Sequence, residues 1–145
     1  MHLDDVLIHQ GELTGETDSD GDGLPDDYES AYFSGATNAV PGADDDGDGR
    51  SNYEEFIAGT NPRTNSSVLA LASYATNQTA SANLILRWPS ATGRVYSIWR
   101  ATNAAGPYTT HVDNIAATAP TNAVTNVAPA ELGAFFYGIG VKRAP

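Results

Sequence analysis

The chain has 145 residues, 41% of them hydrophobic, and a formal charge of −11, which suffices for a modest core in one domain or two small ones. Seven Lys and Arg in all exclude the clustered positive charge that nucleic acid requires of a partner. The absence of cysteine excludes disulfides and thiol chemistry, three scattered histidines (His2, His9, His111) give no zinc spacing, and no apolar run reaches the ~18 residues of a membrane span.

The charge is unevenly spread. Residues 1–62 hold sixteen of the eighteen acids and one base, Arg50, for a net −15, whereas residues 63–145 carry +4. A swing that abrupt predicts two units of different character meeting near Asn61-Pro62. The first stretch, 1–15, begins MHLDDVLIHQGE and has acids where a signal peptide would be positive. It is expected to be a linker or the end of an upstream module.

Two segments 26 residues apart then repeat each other: DSDGDGLPDDYE, Asp18 to Glu29, and DDDGDGRSNYEE, Asp44 to Glu55. Each places oxygen side chains at positions 1, 3 and 5, glycine at 6 and Glu at 12, the frame of a twelve-residue calcium loop. Calcium is a hard cation that gathers six to eight oxygens at ~2.3–2.6 Å. Alternate residues of a curled loop can face one centre, and glycine allows the turn after the third of them. The expected ligands in the first loop are Asp18, Asp20, Asp22, the Leu24 carbonyl, Asp26 directly or through water, and Glu29 through both oxygens. In the second they are Asp44, Asp46, Asp48, the Arg50 carbonyl, Asn52 and Glu55. Two Ca2+ sites follow, with affinity in the extracellular range of ~10⁻⁴–10⁻³ M or somewhat tighter. An acidic linker would also be rich in Asp and Gly, but it would not need Glu at position 12 or aromatic residues after each loop.

Each loop is predicted to lead into a short helix. Pro25 suits a first helical position, and Asp26 and Asp27 suit the positive end of the dipole. Leu24, Tyr28, Ala31 and Tyr32 fall on one helical face before Gly35 stops the run; Tyr53, Phe56 and Ile57 repeat the stripe before Gly59. Neither helix is long enough to stand alone, so their apolar faces are expected to pack together.

The segments before each loop, GELTGET and NAVPGA, are broken by glycine or proline, so no entering helix is expected. Over residues 16–62 the pattern therefore resembles the calcium repeats of the thrombospondin type 3 class and the loop-helix units of dockerins more than a calmodulin-like sensor. The resemblance implies an extracellular, structural calcium site and not a switch, which needs two helices per site.

From Ser67 the composition shifts to Ala, Thr, Asn and β-branched or aromatic residues. Strands are predicted near 68–74, 82–88, 94–101, 107–112, 122–127 and 134–142, with Leu84, Leu86 and Trp88 alternating on one face and Phe135, Tyr137, Ile139 and Val141 on another. Short alternating strands at even spacing predict an antiparallel β-sandwich, so the fold class is mixed, mainly β. LILRWPSATGRVYSIWRA and FFYGIGVK resemble the B, C and F strands of a fibronectin type III-like domain with Trp88 in its core. A sandwich ending there would lack a final strand and leave an open edge. LDDVLIH, Leu3 to His9, is similar to the closing strand of a jelly-roll. The order of these modules resembles the C-terminal tail of a large secreted or cell-surface bacterial protein. The expected organisation is an upstream end at 1–15, calcium repeats at 16–62 and a sandwich at 63–145.

Neither a nucleophile elbow nor an ordered triad appears, and His111 and Asp113 alone do not make one, so no enzyme activity is expected. Two non-catalytic classes remain. In one, calcium stiffens the joint between upstream domains of the same polypeptide and the sandwich. In the other, the module recognises a polysaccharide or a cell-surface protein. Strand parity turns Trp99 outward, where with Tyr108 or Arg100 it would receive a sugar ring, or else pack under a loop or against the calcium region.

Overall fold

The computed structural model describes residues 6–8, 16–75, 83–127 and 135–145. Leu3–Asp5, His9 and the expected strand residues 82 and 134 lie outside these. In chain order the elements are β1 (Val6–Ile8), α1 (Asp26–Phe33), α2 (Asn52–Ala58), β2 (Ala72–Ala75), β3 (Asn83–Pro89), β4 (Arg94–Ala101), β5 (Thr109–Ala116), β6 (Thr121–Val127) and β7 (Phe136–Arg143).

Side-chain alternation builds two sheets. In β3 Leu86 and Trp88 are buried while Arg87 is exposed; in β4 Tyr96 and Ile98 are buried; in β7 Tyr137, Ile139 and Val141 are. Successive side chains of a strand point to opposite faces, so each of these sets forms one apolar wall. The sheets run β1-β7-β4-β5 and β2-β3-β6, and among the described residues all pairings but one are antiparallel. Trp88 of one sheet meets Tyr96 of the other edge-on at 5.6 Å between ring centroids, a favoured aromatic geometry.

The exception is β1, which lies parallel to β7 with Val6 opposite Ile139 and Ile8 opposite Val141. Val6–Ile8 belongs to the stretch that resembles a jelly-roll end, yet here it pairs with the last strand of the chain. It forms the outer strand beside β7 in that sheet. An unpaired edge carries a row of unsatisfied N–H and C=O groups, and Val-Leu-Ile is an apolar run of high β propensity.

The helices do not form a separate core. Leu24 and Ile57, fully buried, belong to the same apolar cluster as Trp88, Tyr96 and Ile139, and α2 lies against β7 and β1. The two helices meet through Tyr28 and Phe56, rings 5.0 Å apart, while the Tyr28 hydroxyl donates to the Asn52 carbonyl at 3.2 Å. The expected stripe on α1 is only partly realised. Ala31 is exposed and Phe33 packs on the core in its place, because the helix docks through its Tyr28–Phe33 side. Pro25 is the N-cap and not the first helical residue, and Ser34, at φ 65°, takes the left-handed turn expected of Gly35. Gly59 ends α2 as expected, at φ 76°.

Candidate metal centre

Both loops are folded by the same hydrogen bonds. The Asp18 carboxylate accepts from the Gly21 N–H at 2.8 Å and from the Gly23 N–H at 3.0 Å. Asp44 accepts from Gly47 at 2.8 Å and Gly49 at 2.9 Å. One oxygen of the fifth-position aspartate takes the N–H two residues on: Leu24 to Asp22 at 2.8 Å and Arg50 to Asp48 at 2.7 Å. This curl demands positive φ twice per loop, at Gly21 and Gly47 (74° and 78°) as well as at Gly23 and Gly49 (97° and 93°). A β-carbon resists that conformation. Sequence reasoning accounted for the sixth-position glycine and overlooked the fourth, although the paired DGDG signal was there.

Asp18, Asp20 and Asp22 bring one carboxylate oxygen each within 4.8 Å of one another, and Asp44, Asp46 and Asp48 do the same. Three negative charges that close repel unless a cation shares the space. Residues 34–51 form turns and loop, so no helix enters the second site.

The twelfth-position glutamates are the most buried acids among the described residues, Glu29 at 0% and Glu55 at 1% exposure. Each has one oxygen held by protein: Glu29 Oε1 accepts from the Ala39 N–H at 2.8 Å and Glu55 Oε1 from the Thr60 hydroxyl at 3.3 Å. The other oxygen of each has no hydrogen-bond partner, and the same is true of Asp46 Oδ2, Asp48 Oδ2 and Asn52 Oδ1. Buried polar atoms are nearly always satisfied. Five partnerless oxygens in two acidic loops fit a hard, oxygen-seeking cation.

The electrostatics agree. Burial, followed by the Asp46 and Asp48 charges, pushes the Glu55 carboxyl up to about 7. Burial also raises Glu29, with Asp20, Asp22 and Asp26 adding to it against the Ala39 N–H, and raises Asp48. Burial and neighbouring carboxylates make these groups resist ionisation, which the Arg50 charge offsets only in part at Asp48.

The ninth-position residues contact the second-position residues. Asp26 accepts from both the N–H and the hydroxyl of Ser19, at 2.7 and 2.6 Å. In the second loop the polarity reverses, and the Asn52 amide donates to Asp45 at 3.2 Å and to the Val40 carbonyl at 2.9 Å. Asn52 thus keeps its oxygen free, whereas both oxygens of Asp26 serve Ser19. Leu24 buries its side chain in the core and Arg50 remains half-exposed.

Trp99 lies on the outer face of its sheet, half-buried, with its indole over Gly140, where a β-carbon would clash with the ring. Beside it a cleft of about 360 Å³ is lined by Val95, Ser97, Thr110, Asp113 and Lys142 among others. Tyr108 is not part of that lining, and its hydroxyl donates to the Ala104 carbonyl at 3.2 Å within its own hairpin. His111 stacks edge-on against Tyr137 at 6.2 Å, while Asp113 accepts from the Ser97 hydroxyl at 2.5 Å.

Residues 18–32 and 44–62 match the family model of the bacterial TSP3 repeat, a calcium-binding class found in extracellular proteins. The matched segments contain both acidic clusters, all of α2 and all of α1 but its last residue, Phe33. No curated protein and no solved structure matches the chain. Among the described residues no helix is long and apolar enough to cross a membrane.

Proposed function

We propose that the chain is a non-catalytic, calcium-stabilised spacer of a larger extracellular protein, in which two Ca2+ ions fix residues 16–62 against a β-sandwich at 63–145. The partnerless oxygens of Glu29, Asp46, Asp48, Asn52 and Glu55 carry this reading. Asp18, Asp20, Asp22, Glu29 and the Leu24 carbonyl hold the first ion, with Asp26 acting through water. Asp44, Asp46, Asp48, Asn52, Glu55 and the Arg50 carbonyl hold the second. Bound calcium replaces mutual repulsion by attraction and gives each helix a fixed start, so binding free energy becomes folding free energy. The strand orders β2-β3-β6 and β7-β4-β5 support a fibronectin type III-like sandwich with β1 at the edge where a final strand would lie. The partners are then the preceding domains of the same polypeptide.

Chelation tests this. In excess EGTA, amide exchange across residues 16–62 is expected to accelerate and the melting temperature to fall. An exchange profile unchanged by EGTA would sink the reading.

The cleft beside Trp99 favours a second reading, recognition of a polysaccharide across the outer sheet face. Quenching or a shift of tryptophan fluorescence by plant or algal glycans would support it, and silence across a glycan array would leave the spacer alone. Docking of a cell-surface protein, as dockerins dock, has no comparable feature behind it.

A further inference from the structure

α2 has seven residues and cannot hold itself together in water. Its N-terminal end belongs to the second loop: the Ser51 hydroxyl and Glu54 form a capping box there. Its other end is held by the sheets. Arg94, the first residue of β4, donates through Nε to the Ile57 carbonyl and through Nη2 to the Phe56 carbonyl, both at 2.6 Å. A planar guanidinium can serve two last-turn carbonyls at once, and its charge suits the negative end of the helix.

Directly opposite Arg94 on β7 stands Arg143. Two like charges facing each other across strands repel unless each is taken up elsewhere. Arg143 sends both Nη atoms to Glu16, at 2.7 and 2.6 Å, and its guanidinium lies 4.8 Å over the Phe56 ring. Glu16 is two residues before the first loop, and Phe56 follows Glu55. The arginine pair therefore grips the entry to one loop and the helix that carries the last acid of the other. It also joins the +4 half of the chain to the −15 half.

We propose that Arg94 and Arg143 form a clamp that couples calcium binding in the second loop to docking of the repeat on the sheets, with Arg94 the positioning residue for Glu55. The inference rests on the calcium reading above. If the ion sets where α2 lies, it sets whether the Phe56 and Ile57 carbonyls meet Arg94, and such coupling is reciprocal. Holding α2 from the sheet side makes the loop readier for calcium, and calcium makes the sheet contact firmer.

The test is calcium titration by calorimetry, with amide exchange of β4 and β7, on the full chain and three variants. Arg94→Met is expected to weaken binding in the second loop about tenfold, within the usual span for coupled sites, and to abolish calcium-induced protection of residues 136–143. Arg94→Lys, which keeps the charge but not the fork, is expected to recover part of both. Arg100→Met, on the same strand but stacked over Phe135, is expected to change neither. A folded Arg94→Met protein with wild-type affinity would overturn the clamp. Should that variant unfold, wild-type affinity and protection in Arg94→Lys would overturn it equally. A wild-type chain that takes up no calcium would remove the calcium reading itself, and the clamp with it.

Discussion

The two acidic loops share a twelve-residue motif and the same curl, yet their surroundings differ. In the second, four side chains each present a buried oxygen without a partner: Asp46, Asp48, Asn52 and Glu55. In the first only Glu29 does, and Asp26 is spent on Ser19. α2 buries five of its residues and has a capping box, whereas α1 buries only Glu29 and its N-cap, Pro25, makes no side-chain bond. A motif fixes which oxygens are available, but the docking of the following helix decides how many are withdrawn from water. Desolvated oxygens with no alternative partner gain most from a cation, so the second loop is expected to bind calcium more tightly.

The sharpest way to break that comparison is to remove the last acid of each loop. Glu55→Gln is expected to cost the second site at least the ~10–100-fold that loss of a supporting contact costs a metal site. Glu29→Gln is expected to cost the first site less, read as the two steps of a calorimetric titration. Equal losses, or two steps of equal affinity before mutation, would dissolve the distinction.

Acidity sharpens it further. Glu55 is raised in the folded, metal-free chain from 4.5 to about 7. Between these values the folded state keeps a proton that the unfolded state has lost, so metal-free stability falls as pH rises through that window. Calcium bound at Glu55 would displace that proton, so affinity in the second loop is expected to climb from pH 6 to pH 8 and then level off. A flat affinity over that range in titrations at fixed ionic strength would count against Glu55 as a ligand. The smallest effect concerns the helix start. Ser51→Ala removes a capping box that α1 lacks and is expected to cost about 1 kcal/mol of stability by thermal melts, whereas Pro25→Ala should cost less.

Much of this was legible in the sequence because it is local. The loop frame depends on residues no more than twelve apart, and the parity that buries Tyr96 and Ile98 while turning Trp99 outward is a property of one strand. What escaped was non-local. The sequence showed that the bases of one half face an acidic other half, but nothing in it singled out Arg94 and Arg143 from Arg87 or Arg100. The left-handed turn at Ser34 was hidden by the more obvious Gly35, and Ala31 looked as apolar as Phe33 until the docking angle of α1 favoured one of them.

The sequence alone determined that two curled carboxylate sets exist and where each begins, since ligand spacing and glycine conformation are written residue by residue. Three-dimensional packing was needed to set Val6–Ile8 parallel to β7 and to give helices and sheets one core. It also decided which loop keeps its oxygens partnerless. These outcomes depend on contacts between residues as far apart as Glu16 and Arg143, whose selection is governed by packing and burial and not by any spacing along the chain.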